Sequence, residues 1–174
     1  MRLFDTHAHL HFPDYAEDLD AVLERGRAAG VRGVVTIGTD RETNRATVEL
    51  AKRLPDVWAT VGIHPHDAAE ATEADFEEME RLASGEPKVV GFGEMGLDFF
   101  RNLSPPDVQR QVFRRQIDIA RRARKPLVVH CRDAHAETLA ILAEERAGEA
   151  GGVMHCFSGD VEVARRCLDL GLYI

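Results

Sequence analysis

Short apolar runs alternate with amphipathic stretches along this chain, and the alternation predicts repeated βα units. Each apolar run is rich in β-branched residues and leads through a polar loop into a stretch with helical spacing that ends at Gly or Pro. Strands are predicted at residues 2–6, 31–37, 57–62, 88–93, 127–130 and 152–155, with a last one starting at Leu172. Such a pattern is typical of a parallel sheet covered by helices.

The intervals between these strands carry helix signals. Helices are predicted at about 17–29, 41–54, 72–82, 104–124, 136–146 and 161–170. Gly30 is expected to end the first, and Thr39 or Asp40 to cap the second. Thr72 and Asp75 have the spacing of a capping box at the start of the third. The chain therefore contains six complete βα units.

Six parallel units fit either an open doubly wound sheet or a (β/α)8 barrel. The first loop reads DTHAHLHF and lacks the G-x-G-x-x-G of dinucleotide-binding sheets. The prediction is therefore an α/β fold, a TIM-type (β/α)8 barrel. The chain stops inside the seventh strand, so the barrel is expected to be truncated and to lack the last one to two βα units. No linker interrupts residues 1–174, which are predicted to form a single domain.

Composition narrows the class of protein. The 174 residues are 44% hydrophobic and 30% charged, as in an ordinary soluble domain. The N-terminus does not resemble a secretory signal, and no apolar stretch approaches the roughly 20 residues of a membrane span. A cytoplasmic protein without a membrane partner is predicted, while the pattern says nothing of its oligomeric state. A net charge of −8 argues against a wide contact with nucleic acid but is compatible with a small one, such as a strand end.

The three cysteines and one basic run receive structural interpretations. Cys131, Cys156 and Cys167 are an odd number without CxxC spacing and are predicted to be buried small hydrophobes. Cys131 and Cys156 each follow a histidine, but strand alternation predicts that they point away from the barrel axis. The basic run at 121–125 lies at a predicted helix C-terminus, where cations complement the helix dipole.

The histidines are grouped by position in the βα units. All eight lie at the C-terminal end of a predicted strand or just beyond it: His7, His9, His11, His64, His66, His130, His135 and His155. In a parallel barrel these strand ends share one face, and that face carries catalysis. We therefore expect separate segments of the chain to converge on one site.

Two of these segments offer metal ligands. His7 and His9 are two residues apart, so a strand would point both side chains the same way. The alternative is a polar pair that merely solvates a strand end. Glu94 follows the apolar run KVVGFG and delivers a carboxylate to the same rim, where it could bridge two ions. Alternatively, the Glu94 carboxylate accepts hydrogen bonds from backbone N–H groups in a glycine-rich turn.

Two later strands end in the same way. His130 and His155 terminate short apolar runs at equivalent positions of adjacent units, although either alone could be a hydrogen-bonded core histidine. Arg132 and Asp133 follow His130 on the predicted catalytic rim. Arg132 could hold a phosphate oxygen, or it could form an ion pair with Asp133.

Five motifs occur along the chain: DTHAHLHF, GIHPHDA, GEMGLDFF, HCRDA and HCFSG. Together they resemble the TatD family of metal-dependent deoxyribonucleases, within the amidohydrolase-like TIM barrels. They occur in the family's order and cover essentially the whole chain. The resemblance implies two divalent metal ions, Zn, Mg or Mn. It places His7 and His9 on one ion, Glu94 as the bridge, and His130 and His155 on the other.

The resemblance also implies the reaction, which is hydrolysis of DNA phosphodiester bonds, typically from an end. The expected substrate is single-stranded DNA or a strand end. A metal-bound hydroxide near Glu94 would attack phosphorus, since a metal lowers the pKa of bound water to about 7. His64 and Arg132 would offset the developing charge as catalytic groups, and they would contact the substrate together with Asp133.

Two other functions remain open from the sequence. Some relatives hydrolyse D-aminoacyl-tRNA esters, and a metal hydrolase of such a carbonyl substrate would need similar groups, often with a carbamylated lysine. No predicted strand ends in lysine. The other possibility is an inactive metal-binding fragment. The family pattern continues beyond Ile174 to a strand whose aspartate completes the first metal site. The chain alone is therefore expected to be unstable as a monomer and to hold the His7 and His9 ion less well.

Overall fold

A computed structural model describes residues 2–174, and seven parallel strands form its single sheet. The strands are β1 (Leu3–Ala8), β2 (Val31–Ile37), β3 (Val57–Val61), β4 (Val89–Asp98), β5 (Leu127–Arg132), β6 (Gly152–Met154) and β7 (Leu172–Tyr173). Each pairs with the next strand of the sequence. This order brings every strand's C-terminal end to the same face, as the sequence predicts.

A helix follows each of the first six strands. The helices are α1 (Leu19–Ala28), α2 (Arg41–Arg53), α3 (Glu73–Gly85), α4 (Pro106–Ala123), α5 (His135–Glu144) and α6 (Val161–Asp169). Asp40 caps α2 by accepting a hydrogen bond from the Thr43 backbone, and Thr72 and Asp75 form the predicted capping box of α3. The prediction of βα units is confirmed. None of the helices in residues 2–174 is long and apolar enough to cross a membrane.

Strand β4 is longer than the sequence predicts, and this difference matters for the site. The prediction ended the strand at residue 93, but β4 continues to Asp98 and pairs with β5 through Arg132. Gly96 lies at φ 145°, and a Cβ there would collide with the carbonyl oxygen of His130. The glycine therefore permits close strand pairing and does not end the strand.

Three buried amide side chains fix the backbone at the C-terminal ends of β3 and β4. Asn44 of α2 bonds to both the N–H and the carbonyl of Gly62, at 2.9 and 3.0 Å. Gln116 of α4 does the same at Ile63, at 2.8 and 3.0 Å. Gln109, also of α4, holds Asp98 at 2.8 and 3.2 Å. Each amide satisfies two backbone groups where the sheet's own pairing ends, so the following side chains start from a rigid backbone.

The cysteine prediction is partly wrong. Cys167 is buried, and Cys131 is half-buried against the core. Cys156 is exposed, with φ 47°, and lines the cavity at the strand ends. The alternation argument failed there because β6 ends at Met154, so Cys156 is no longer in a strand.

The basic run at 121–125 has the structural role that the sequence predicts. Arg121 pairs with Glu149, Arg122 pairs with Glu80, and the Lys125 ammonium lies 2.5 Å from the carbonyl oxygen of Val89. These cations therefore pair with other parts of the chain at a helix C-terminus.

Candidate functional site

A cavity of about 530 Å³ opens at the C-terminal ends of the strands. Its walls include His9, His64, His66, Glu94, His130, Arg132 and His155. His7 adjoins it, with its ring 3.3 Å from that of His155. The five residues that the sequence predicts as metal ligands are thus gathered at one place, although they come from four different strand ends.

Glu94 lies at the centre of this group. Its Oε2 is 3.2 Å from His7 Nε2 and 3.9 Å from His9 Nε2. Its Oε1 is 3.0 Å from His130 Nδ1 and 3.9 Å from His64 Nε2. The side chain is almost fully buried, so one carboxylate presents each oxygen to a different pair of imidazoles.

Several imidazole nitrogens of this site have no hydrogen-bond partner within residues 2–174. They are His7 Nε2 and His9 Nδ1, and both ring nitrogens of His11, which lies beside His9 outside the cavity wall. His7 Nε2 is close to Glu94 but does not have hydrogen-bond geometry. Buried polar groups without partners are uncommon and require a reason. Two sets of candidate ligand atoms, His7–His9–Glu94 and His64–Glu94–His130, each lie within 4.8 Å of one another. The first set offers unpartnered imidazole nitrogens to a divalent cation.

The protonation states of these groups also suit metal ions. Burial, together with neighbouring His130, lowers the pKa of His64 to about 3. Burial and neighbouring His7 lower the pKa of His155 to about 4. Burial disfavours the ionised form of Glu94, but the neighbouring imidazoles of His130, His7 and His64 hold its pKa well below the usual range. Neutral imidazoles around an ionised carboxylate are what a metal site requires.

His64 and His155 are placed differently from each other. The Nδ1 of His64 accepts the backbone N–H of His66 at 3.2 Å, so in the neutral ring the proton is on Nε2, which faces Glu94. This N–H makes His64 a hydrogen-bond donor into the cavity. His155 stacks on His7, with 7° between the rings, and belongs to neither set of close ligand atoms among the described residues. Its role as a ligand beside His130 stays a prediction.

Asp98 is a site residue that the sequence analysis missed. It is fully buried, and its Oδ2 lies 2.8 Å from His66 Nε2 and 3.1 Å from His130 Nε2. Burial raises its pKa, but a hydrogen bond from the Arg101 backbone, followed by those from the two histidines, brings the pKa down to about 2. With β4 continued past residue 93, strand alternation places Glu94 and Asp98 on the same face, and this signal was available in the sequence.

Arg132 and Asp133 also differ from each other. The Arg132 guanidinium lies over the exposed ring of Phe100, 3.9 Å from its centre, and lines the cavity. Among the described residues it forms no ion pair with Asp133, which was the alternative interpretation. Asp133 is exposed at φ 54°. Contact of either residue with a substrate stays a prediction.

Comparison with known proteins agrees with the sequence motifs. Residues 4–174 match the family model described as TatD related DNase. The chain is 44% identical over 172 residues to a Bacillus subtilis protein named uncharacterized metal-dependent hydrolase YabD, covering 99% of this chain and 67% of that protein. It is 39% identical over 172 residues to the 3′-5′ ssDNA/RNA exonuclease TatD of Salmonella typhimurium, covering 99% and 66%.

Solved structures show the same fold. The crystal structure of YJJV, a TatD homologue from Escherichia coli, matches 98% of this chain and 66% of its own, with a TM-score of 0.92 and 30% identity. A TatD family hydrolase from Entamoeba histolytica matches with a TM-score of 0.89 at 24% identity, which is likeness of fold alone. The chain spans about two thirds of the length of these relatives. The predicted TIM-type barrel is confirmed, and the chain belongs to the TatD-related DNase family.

Proposed function

We propose that this protein is a metal-dependent nuclease that hydrolyses DNA phosphodiester bonds from the end of a single strand. One observation carries the proposal: Glu94 presents each of its two oxygens to a separate pair of imidazoles. The names of the relatives support it, because one is a metal-dependent hydrolase and another an exonuclease on ssDNA and RNA. The second name favours attack at the 3′ end.

The proposed ligands are those of the sequence prediction. His7 and His9 would hold one ion, His130 and His155 the other, and Glu94 both. When bound, divalent ions polarise a phosphoryl oxygen and lower the pKa of a coordinated water to about 7. A set rich in imidazoles suits Zn or Mn, while Mg would depend more on substrate oxygens.

The chain's own groups would orient and stabilise the phosphodiester. His64 is neutral and fixed, and its Nε2–H is available to a phosphoryl oxygen as negative charge develops there. Arg132 at the rim supplies a permanent positive charge. The exposed rings of Phe12 and Phe100 flank this region, and unpaired bases stack on such rings regardless of their identity. We also propose that Asp133 contacts the substrate and that the protein is cytoplasmic, as the sequence predicts.

A contact limited to the end of a DNA strand agrees with the net charge of the chain. A net charge of −8 disfavours long runs of phosphate contacts. A strand end enters a cavity of about 530 Å³ and meets the histidines, Glu94 and Arg132 there. We therefore expect weak binding of duplex interiors.

The test is cleavage of a single-stranded oligonucleotide labelled at either end, by protein treated with chelator and then restored with Mn²⁺ or Zn²⁺. We expect the protein to remove 3′ nucleotides only when metal is present. In the Glu94→Ala variant, turnover should fall far more than oligonucleotide binding. Glu70→Ala, on a short helix outside the histidine cluster, is the matched control. Equal cleavage with and without metal would contradict the proposal. Release of the amino acid from a D-aminoacyl-tRNA, without oligonucleotide cleavage, would favour the carbonyl alternative.

A further inference from the structure

The imidazole of His130 lies between two carboxylates. Its Nδ1 is 3.0 Å from Glu94 Oε1, and its Nε2 is 3.1 Å from Asp98 Oδ2. A neutral imidazole has one N–H and one lone pair, so it can donate to only one of the two. The carboxylate that receives the hydrogen bond decides which nitrogen keeps a lone pair for a metal ion.

Asp98 is held in place by the rest of the fold. Its Oδ1 accepts the backbone N–H of Arg101 at 2.8 Å, and its own N–H and carbonyl are both bonded to Gln109. Only Oδ2 remains to face the histidines. A fully buried carboxylate needs N–H donors to offset its lost hydration, and the donors within reach of Oδ2 are the Nε2 atoms of His66 and His130.

Glu94 has a different environment, although it is as deeply buried. Its two oxygens face four imidazoles, and His7 Nε2 lies 3.2 Å away without a hydrogen bond. Imidazole nitrogens and a carboxylate oxygen gathered around one position are the ligand set of a cation such as Zn²⁺. On His130, a lone pair at Nδ1 therefore suits the edge of the ring that faces Glu94. An N–H at Nε2 suits the edge that faces Asp98.

We propose that Asp98 is the positioning residue of His130: it holds the ring in the Nε2–H tautomer and so aims the Nδ1 lone pair at the metal position beside Glu94. The proposal rests on the proposed function in one respect, that His130 is a metal ligand. An outer carboxylate of this kind fixes the orientation of a ligating imidazole and raises its basicity.

The same oxygen of Asp98 orders a second part of the site. His66 Nε2 lies 2.8 Å from Oδ2, and the His66 backbone N–H donates to His64 Nδ1. Asp98 therefore connects the end of β5 to the loop after β3. Its removal should disturb His130 directly and His64 through His66.

The experiment uses the full chain and the variants Asp98→Asn and Asp98→Ala. Asp75→Asn is the matched control, since Asp75 is another buried aspartate but caps α3 away from the histidines. Zn²⁺ affinity is measured by competition with a chelator. The tautomer of His130 is read in the metal-free protein from long-range ¹⁵N–¹H NMR correlations, at a pH where the ring is neutral.

We expect the Nε2–H form in the wild type and a gain of the Nδ1–H form in Asp98→Asn, whose amide can donate to Nε2. Zn²⁺ affinity should fall about 10- to 100-fold in both Asp98 variants and stay unchanged in Asp75→Asn. A purely structural role of Asp98 would lower the melting temperature without changing the tautomer.

Two results would overturn the proposal: an Nδ1–H tautomer in the wild type, or folded Asp98 variants with wild-type Zn²⁺ affinity. The wild-type spectrum decides the tautomer even if the variants do not fold. A wild-type chain with the Nε2–H form but no affinity for Zn²⁺ would contradict the metal centre of the proposed function and leave the tautomer assignment supported.

Discussion

Polar groups at the two ends of the sheet differ in how they are paired. At the N-terminal end, the Lys88 ammonium lies 3.1, 2.8 and 2.9 Å from the carbonyl oxygens of Leu54, Pro55 and Val57. At the C-terminal end, ring nitrogens of His7, His9 and His11 have no partner within residues 2–174. The Lys88 ammonium is satisfied by the chain itself, whereas these histidine nitrogens are left without a partner.

This difference indicates that the N-terminal ends of the strands contribute to stability and their C-terminal ends to function. The N-terminal ends contribute to the free energy of folding, because Lys88 and Lys125 there are bonded to carbonyl oxygens of the chain. The C-terminal ends cost folding free energy, since they bury a carboxylate and neutral imidazoles together. This division agrees with the general placement of catalysis in parallel barrels.

The largest effect is expected from Glu94→Gln at the C-terminal end. Loss of the shared charge should abolish stoichiometric metal binding and lower turnover by at least about 100-fold, the order lost with one key electrostatic group. The melting temperature of the metal-free variant separates loss of the metal site from loss of the fold. Metal content per chain, oligonucleotide cleavage and melting temperature of the metal-free protein are the measurements. A folded variant with wild-type metal content would break the comparison.

An opposite pattern is expected from Lys88→Met at the N-terminal end. Three carbonyl oxygens lose one ammonium donor, which should lower the free energy of unfolding by about 2 kcal/mol. Metal affinity should stay as in the wild type, since the side chain lies at the far end of the sheet. Urea denaturation and chelator competition measure the two quantities. Loss of metal affinity without loss of stability would contradict the division.

The smallest effect concerns the ion pair of Arg27 and Asp56 at the same end. Arg27 Nε and Nη2 lie 2.6 and 2.8 Å from the Asp56 carboxylate, and this hydrogen bond holds the pKa of Asp56 below its usual range. A depressed folded pKa gives stability that is present above the unfolded pKa, near 3.9, and is lost as the pH falls through the folded value. Arg27→Met should therefore be destabilising at neutral pH and progressively less so in acid.

The measurement is the urea midpoint of Arg27→Met and of the wild type between neutral pH and about pH 3. The pair is largely exposed, so the difference should be small and should shrink with added salt. A difference that grows as the pH falls would contradict the assigned sign. In that event Asp56 would not be the group that Arg27 stabilises.

Three features could be predicted from the amino-acid sequence: the βα order, the face that carries the histidines and the central position of Glu94. These features follow from local periodicity and from the shared direction of parallel strands, so they need no knowledge of distances. His7, His9 and His130 could be assigned to one site for the same reason. The motifs around them also identified the family that the comparisons confirm.

How these side chains contact one another depends on long-range packing that the sequence pattern does not show. The length of β4 depends on its pairing with β5, whose register shifts between Phe92 and Met95, so the apolar run alone predicted too short a strand and Asp98 was missed. The stacking of His155 on His7 joins the ends of β6 and β1 across the site. Which nitrogen faces which carboxylate is set by contacts between residues more than thirty positions apart, and local sequence carries no record of such contacts.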